Sequence, residues 1–327
     1  MSGDEQSAAS TAKVSEAARP ATARPALTIG MPVYNGEKYI GAALRSLAAQ
    51  TFGDYELVIC DNASTDRTQA ICEEHAARDP RIRYVRSETN RGVLANFDRA
   101  VELASCDLFM WAASDDLWEP RFAERMVGAL RADADASLVY CDYNWVDDDE
   151  KVLRHGKTRF IANRPSPLDR VLTFNRDNAR LHNLYLYFMW RNPFLVYGMF
   201  RTAALRRVLP FEYVFSDARH ADNLFMLRFL MREKVTVVNE VLFHYRVKNR
   251  ATAESTASYQ SPTQSEPEAA SKKEAEIERT LLRRVLAVID EAPLTGLEAK
   301  VLRGTFPVLS RARCAALEYA ERRAKRR

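Results

Sequence analysis

The chain has 327 residues, 47% of them hydrophobic and 10% aromatic, with a net charge of +4. That length suits one large α/β domain with extensions or two modest domains, and the apolar share allows a sizeable core. The charge is unevenly placed: Lys272 to Arg327 carries 14 basic and 8 acidic residues, so the rest is slightly acidic and nucleic-acid binding by the main body is not indicated.

No apolar run is long enough to cross a bilayer. The richest, Leu181 to Phe200, is broken by His182, Asn183, Arg191, Asn192 and Pro193. Residues 1–25 lack the apolar centre of a secretory signal and read as a disordered leader. Five cysteines, Cys60, Cys72, Cys106, Cys141 and Cys314, show no metal-ligand spacing. Buried free thiols in a reducing cytosol are the expectation.

Strand and helix signals alternate from Leu27 onward. Leu27 to Val33 is an apolar run closed by the turn Tyr34-Asn35-Gly36. Tyr39, Ile40, Ala43, Leu44 and Leu47 recur at helical spacing. Tyr55 to Cys60 is a second strand, and Ser64 and Asp66 suit caps for a helix through Ala77. Ile82 to Val85 is a third strand. The turn Asn90-Arg91-Gly92 leads into a helix carrying Val93, Leu94, Phe97, Val101 and Leu103. Leu108 to Ala112 is a fourth strand, Pro120 opens a helix through Leu130, and Leu138 to Cys141 is a fifth strand. This alternation predicts right-handed βαβ units and a doubly wound, mostly parallel sheet flanked by helices.

The pattern then weakens. Asp147-Asp148-Asp149-Glu150 reads as a solvated turn. Val196 to Phe200 is strand-like, Ala221 to Met231 is helical, and Val235 to Val238 and Val241 to Tyr245 read as two strands. Residues 251–272 are a Ser/Thr/Glu/Gln-rich linker. Residues 273–327 form a basic helical extension, with periodic Leu281, Leu282, Val285, Leu286 and Ile289 and a last helix from Val308.

Asp115 and Asp116 follow the apolar run Leu108-Phe109-Met110-Trp111-Ala112. A buried strand ending in two carboxylates needs a cation, a proton or water. One reading is a divalent metal shared with a phosphorylated ligand at the carboxyl end of a sheet strand. The other is a solvated helix N-terminus. No G-x-G-x-x-G follows the first strand and no G-x-x-x-x-G-K-[ST] occurs, which argues against a dinucleotide dehydrogenase and a P-loop NTPase.

Four ordered pieces, Met31-Pro32-Val33-Tyr34-Asn35-Gly36, Asp61-Asn62-Ala63-Ser64-Thr65-Asp66, Asn90-Arg91-Gly92 and Ser114-Asp115-Asp116, resemble a family 2 inverting glycosyltransferase of the GT-A fold. The resemblance is strong over about Leu27 to Leu130 and continues to about Arg250. It implies one domain over 26–250, with a nucleotide-binding half at 26–142 and an acceptor half at 143–250. It further implies a metal-dependent transfer of a sugar from a nucleoside-diphosphate sugar to a hydroxyl acceptor (a saccharide, a lipid-linked or another hydroxyl), in cell-surface polysaccharide or glycoconjugate synthesis. The site would be cytoplasmic.

On that resemblance Pro32, Tyr34 and Asn35 face the nucleotide base, the bland reading being a packing tyrosine and a plain turn. Asp61 contacts base or ribose. Relatives commonly carry a second Asp where this chain has Asn62, and an amide donates as well as accepts. Arg91 pairs with the diphosphate or is simply exposed. Asp115 contacts the donor and Asp116 ligates Mg²⁺ or Mn²⁺, a reduced motif because Ala113 stands where fuller versions carry an acid. Asp222 in Ala221-Asp222-Asn223 is the expected base, with Asp217 as runner-up, and both also suit N-caps. His220 is a third candidate, more often structural. Tyr197 to Arg201 would floor the acceptor pocket. Phe243-His244-Tyr245-Arg246 would approach the diphosphate or merely pack. Tyr185, Tyr187, Phe188 and Trp190 would stack on sugars or, more often, fill core.

Two rivals remain. A binding module would hold a nucleotide sugar without turnover; the acidic doublet and a candidate base argue against it. A nucleotidyltransferase would need a glycine- and lysine-rich first loop, which is absent. The basic tail (Arg322, Arg323, Lys325, Arg326, Arg327) reads as a packing helix with a solvated end or as a peripheral membrane contact.

Overall fold

The computed structural model describes residues 24–156, 193–212, 221–247 and 271–324. Most of the leader and most of the linker lie outside them. Strand β1 (Leu27–Val33) is buried along its whole length. It lies between β2 (Tyr55–Asp61) and β4 (Leu108–Trp111), both parallel to it, and β3 (Ile82–Arg86) extends the parallel set beyond β2. Burial on both faces explains why these strands read as continuous apolar runs. Helices α1 (Ile40–Ala48), α2 (Thr68–Arg78) and α3 (Val93–Glu102) make the crossovers. On α1 the buried residues are Ile40, Ala43, Leu44 and Leu47, the single stripe that period-3.6 spacing produces.

Further along, the chain departs from the simple alternation. A two-residue strand β5 (Leu117–Trp118) precedes α4 (Phe122–Ala132) and β6 (Ala136–Val146), and β7 (Val152–Gly156) folds back on β6. A 3-10 turn (Pro193–Tyr197) leads to β8 (Met199–Arg201) and the short α5 (Thr202–Arg206). Then come α6 (Ala221–Leu230), β9 (Lys234–Arg246), α7 (Ser271–Glu291) and α8 (Gly296–Ala324). The sheet order is β3-β2-β1-β4-β8-β6-β9-β5, with β7 on β6.

Three expectations need correction. Of the run Val196 to Phe200, Val196 and Tyr197 end a 3-10 turn and only Met199 and Phe200 fall in the three-residue β8, which is wedged antiparallel between β4 and β6. Gly198 sets that wedge: a Cβ there would meet the Val139 carbonyl oxygen at 2.6 Å. The two strands expected within Val235 to Tyr245 are one strand, β9. Its register against β6 jumps from Cys141↔Val238 to Asp142↔Val241, so Asn239 and Glu240 form a bulge. Those two polar residues imitate a turn in the sequence. The last helix starts at Gly296, not near Val308, and carries Pro307 inside it.

The core centres on Trp111, whose ring lies 5.1–5.9 Å from the rings of Phe97, Phe109, Phe200, Phe211 and Phe225. Its Nε1–H donates to the Phe97 carbonyl at 3.0 Å. Such tilted and edge-on pairs add about 0.5–1.5 kcal/mol each beyond area burial. The cluster fastens the end of β4 to α3 and α6. Cys60, Cys72, Cys106 and Cys141 are buried free thiols, and burial pushes the Cys60 thiol up to about 12.

Beside this cluster, Asp98 of α3 accepts the Phe211 N–H at 3.0 Å. Burial pushes its carboxyl up to about 6, above the unfolded value of about 3.9. In that window the folded chain keeps a proton that the unfolded chain has released, so Asp98's contribution to stability falls as pH rises. Asp98→Asn keeps the acceptor for Phe211 and removes the buried charge. It is expected to stabilise the fold at neutral pH by on the order of 1 kcal/mol after allowance for solvent screening, with the gain gone near about pH 4. Thermal unfolding at the two pH values measures this.

Candidate active site

The loops after β1, β2, β3 and β4 gather at the carboxyl ends of the parallel strands, where open α/β sheets bind ligands. The first two are laced together. Asn35 N–H donates to Ser64 Oγ at 2.9 Å, and Asn35 Oδ1 accepts the Thr65 N–H at 2.8 Å. Gly36 N–H donates to Thr68 Oγ1 at 2.7 Å, and Glu37 N–H to Asp66 Oδ2 at 3.0 Å. Asn35 and Ala63 take positive φ, 51° and 63°, the left-handed region that costs a non-glycine residue about 1 kcal/mol and holds only where neighbours enforce it. Ser64 is therefore a latch between loops, not the helix cap its sequence position suggests. Asp66 links the two roles, since its Oδ1 accepts the N–H of Thr68, the first residue of α2.

Pro32 is a buried residue of β1 opposite Cys60. The β1–β4 ladder ends at Gly30↔Trp111, so a proline two residues on forfeits no ladder bond there. Tyr34 is half-buried at the mouth of the first loop. Asp61 is 0% exposed. Its Oδ1 accepts the Ser64 N–H at 2.9 Å, its Oδ2 accepts the Tyr84 hydroxyl at 2.5 Å, and Arg86 Nε lies 3.5 Å away. The Tyr84 pKa is raised by burial first and by this hydrogen bond second. Tyr84 and Arg86 escaped the sequence reading, although their alternation on β3 is the signal that would place both on one face.

Asn62 is spent on the third loop. Its Nδ2 donates to Asn90 Oδ1 at 2.7 Å and the Gly92 carbonyl at 3.2 Å, and its Oδ1 accepts the Arg91 N–H at 2.9 Å. The amide thus uses both of its capacities, and Arg91 stays exposed at the rim. A carboxylate has no N–H for Asn90 or Gly92. Asn62→Asp is expected to cost about 1–3 kcal/mol, the price of buried groups left without partners. Urea denaturation reads this as a lower midpoint, and an unchanged midpoint would show that the bridge contributes nothing.

The acidic doublet sits beyond β4. Asp116 is 1% exposed, and its Oδ1 accepts the Arg246 backbone N–H at 2.8 Å. Asp115 is half-buried. Arg246, itself 2% exposed, closes β9 and works as a hub. Its Nε donates to the Asp115 carbonyl at 2.8 Å. Its Nη1 donates to the carbonyls of Asp147 and Asp148 at 2.8 and 2.9 Å. Its Nη2 lies 3.2 Å from Glu150 Oε1, and the guanidinium covers the Tyr39 ring at 5.0 Å. The Asp147–Glu150 turn is therefore docked, not simply solvated. Asp148 is also held by Lys38 Nζ and by the Tyr39 hydroxyl, each at 2.7 Å, which keep its carboxyl below the usual range. The Arg246 guanidinium thus hydrogen-bonds the protein's own carbonyls and lies against Glu150.

Asp222 lies in the first turn of α6, half-buried, with its Oδ1 accepting the Asn223 N–H at 2.8 Å. Phe225, one turn on, packs on Trp111 at 5.7 Å, which brings the start of α6 toward the end of β4. Arg201 turns to the Ala136 and Leu130 carbonyls at 2.8 and 2.7 Å. Tyr197 lies 5.7 Å from the Phe243 ring, and His244 Nε2 lies 2.7 Å from Glu119 Oε1. Asp217, His220, Tyr185, Tyr187, Phe188 and Trp190 fall outside the described residues. A cleft of about 370 Å³, lined by Arg45, Leu117, Glu119, Glu150 and His244, borders the hub; it includes His244 of the segment expected near the diphosphate, but not Pro32, Tyr34, Asn35, Asp61, Asn62, Arg91, Asp115 or Asp116.

Among the described residues no group of three or more His, Cys, Asp or Glu side chains is placed to hold a metal. An all-protein metal cage is therefore not formed by them. The Asp115–Asp116 pair does fit a hard cation completed by phosphate oxygens and water, which needs only one or two carboxylates from the protein.

A twisted sheet with parallel strands β3-β2-β1-β4, loops laced at their carboxyl ends and an acidic doublet beyond β4 is the GT-A architecture of nucleotide-sugar transferases. The chain belongs to glycosyl transferase family 2, whose profile matches residues 28–207. It is 29% identical over 233 residues to a chondroitin synthase of Escherichia coli, covering 68% of this chain and 34% of that protein. The chain thus spans about a third of the length of that relative. Among solved structures, residues 1–349 of Staphylococcus aureus TarS in complex with UDP-GlcNAc superpose with a TM-score of 0.59 at 19% identity, covering 84% of this chain and 69% of that fragment. The mannosyltransferase PcManGT of Pyrobaculum calidifontis, in complex with GDP-Man and Mn²⁺, gives 0.50 at 16% identity, covering 91% and 85%.

Proposed function

We propose that this chain is a metal-dependent inverting glycosyltransferase that moves a sugar from a nucleoside-diphosphate sugar to a hydroxyl acceptor, a saccharide or a lipid-linked one, in polysaccharide or glycoconjugate synthesis. The observation that carries the reading is the Asp115–Asp116 doublet, held by Arg246 beyond the end of β4, whose Trp111 packs on Phe225 of α6. Tyr34 and Arg91, at the rim of the strand-end loops, contact the nucleotide. Pro32, Asn35, Asp61 and Asn62 shape the loops that present those groups.

Asp115 orients the donor, and Asp116 is the carboxylate that holds Mg²⁺ or Mn²⁺. The cation, when bound, offsets the charge that develops on the leaving diphosphate. Asp222 takes the proton of the acceptor hydroxyl as its oxygen attacks the anomeric carbon and the bond to the diphosphate breaks, so the configuration inverts. The donors bound to TarS and PcManGT, UDP-GlcNAc and GDP-Man, make uridine and guanosine diphosphate sugars the first to try.

Thermal unfolding in a panel of nucleotide sugars, with and without Mn²⁺, tests the reading. A matching donor is expected to raise the midpoint only when the metal is present. Stabilisation without turnover on any acceptor would favour a binding module, and no response to any nucleotide sugar would overturn the proposal.

A further inference from the structure

Helix α8 carries apolar side chains on two opposite sides. One side, with Leu302 and Phe306, is buried in the hydrophobic cluster that also holds Leu281, Val285, Val288 and Ile289 of α7. The hairpin is fixed to the body, since Arg232 Nη2 donates to the Glu291 carbonyl at 3.1 Å. The start of α8 is closed by a capping box, with Glu298 N–H donating to Thr295 Oγ1 at 3.2 Å and Glu298 Oε2 accepting the Thr295 N–H at 2.8 Å. On the other side Leu297 is 73% exposed, Val301 38% and Val308 54%. Positions 297, 301, 304 and 308 follow the i, i+4, i+7, i+11 spacing of a single helix face. Gly304 completes the row, and the exposed Ala312 and Ala315 continue it.

Beyond Glu298, which the capping box engages, the charge along this row has one sign. Lys300 and Arg311 are exposed on its flank, and positions 299–317 contain no Asp or Glu. Arg303, on another side of the helix, pairs with Asp290 of α7. An exposed aliphatic row edged by cations is the pattern of a helix that lies in the surface of an anionic bilayer, its apolar face just below the headgroups. Spanning is excluded for the described residues, because none of their helices is long and apolar enough.

A second copy of the chain is the poorer occupant. Pairing α8 with itself would bring two basic flanks together. Three aliphatic side chains also fall far short of the roughly 1,000 Å² that a stable interface buries. We propose that the Leu297–Val301–Val308 face of α8 docks on an anionic lipid surface, with Lys300 and Arg311 at the headgroups. The inference concerns association alone and stands whether or not the transfer reaction is as proposed above.

Co-sedimentation of the full chain with vesicles of phosphatidylcholine alone, or of phosphatidylcholine with phosphatidylglycerol, tests it. Binding to the anionic vesicles, weakened by salt, is expected. Two variants probe the face separately: Leu297→Ser with Val301→Ser and Val308→Ser, and Lys300→Glu with Arg311→Glu. Each is expected to lower the vesicle partition coefficient by at least about tenfold, with unchanged circular dichroism, because all five side chains are exposed. No sedimentation, equal sedimentation with neutral vesicles, or full binding by both variants would overturn the proposal. So would a dimer in analytical ultracentrifugation that the triple serine variant dissolves, since the face would then be a contact between copies.

Discussion

Asp116→Asn is expected to lower sugar transfer by about a thousandfold, in the range seen when one electrostatic stabiliser of a developing charge is removed. Asparagine keeps an oxygen for the Arg246 N–H that Asp116 Oδ1 accepts at 2.8 Å, so the fold should stand. What disappears is the negative charge at a position 1% exposed, where screening by water is weak. Electron paramagnetic resonance of Mn²⁺ titrated in the presence of UDP reads the metal directly and needs no turnover. The expected outcome is loss of the bound-metal signal with the melting profile retained. Wild-type transfer by the variant, or by a double alanine variant of Asp115 and Asp116 under chelator, would refute the role given to the doublet.

Asp222→Asn is expected to separate binding from chemistry. Loss of a general base costs about 10²–10⁴-fold in rate. Donor affinity should be retained, because Asp222 is assigned to the acceptor's proton and not to the nucleotide. The structural cost should be small: Asp222 Oδ1 accepts its neighbour's N–H at 2.8 Å, and an amide oxygen does the same. Calorimetry with donor plus Mn²⁺, followed by single-turnover transfer, reads the two effects separately. If transfer persists undiminished, the base lies elsewhere, and Asp217 is the next residue to change. If donor binding falls together with transfer, Asp222 belongs to the donor site.

The first half of the fold was legible because its signals are local. Strands β1, β2 and β4 are buried on both faces and read as apolar runs; α1 and α3 carry one apolar stripe each. Asn35-Gly36 and Asn90-Arg91-Gly92 announce their turns by residues that tolerate positive φ, as Asn35 and Gly92 do. The second half was harder to read for equally physical reasons. The bulge at Asn239 and Glu240 resembles a turn but only shifts register. The strands β5 and β8 have two and three residues, too few for any periodicity to show, and partners distant in sequence hold both in the sheet.

The candidate site divides in the same way. Asp115, Asp116 and Asp222 could be selected from sequence because chemistry restricts which residues serve a metal or a proton. Asn62 could be selected too, but its engagement with the turn at 90–92 is a matter of which way an amide points. Tyr84, the partner of Asp61, lies 23 positions away in the chain. The role of Arg246 as a hub is more distant still, since its guanidinium meets carbonyls 98, 99 and 131 residues earlier.

Sequence by itself determined the alternating α/β pattern, the ordered loop motifs and hence the family, because burial periodicity and turn chemistry act over a few neighbouring residues. Only the tertiary structure decided that β8 enters the sheet antiparallel between β4 and β6, that Asp61 and Asn62 are committed to the protein's own loops, and that Arg246 ties the acidic doublet to the turn at Asp147–Glu150. Those outcomes depend on hydrogen bonds between segments far apart in the chain, whose partners are chosen by packing and by the satisfaction of buried polar groups, and not by any property of the residues alone.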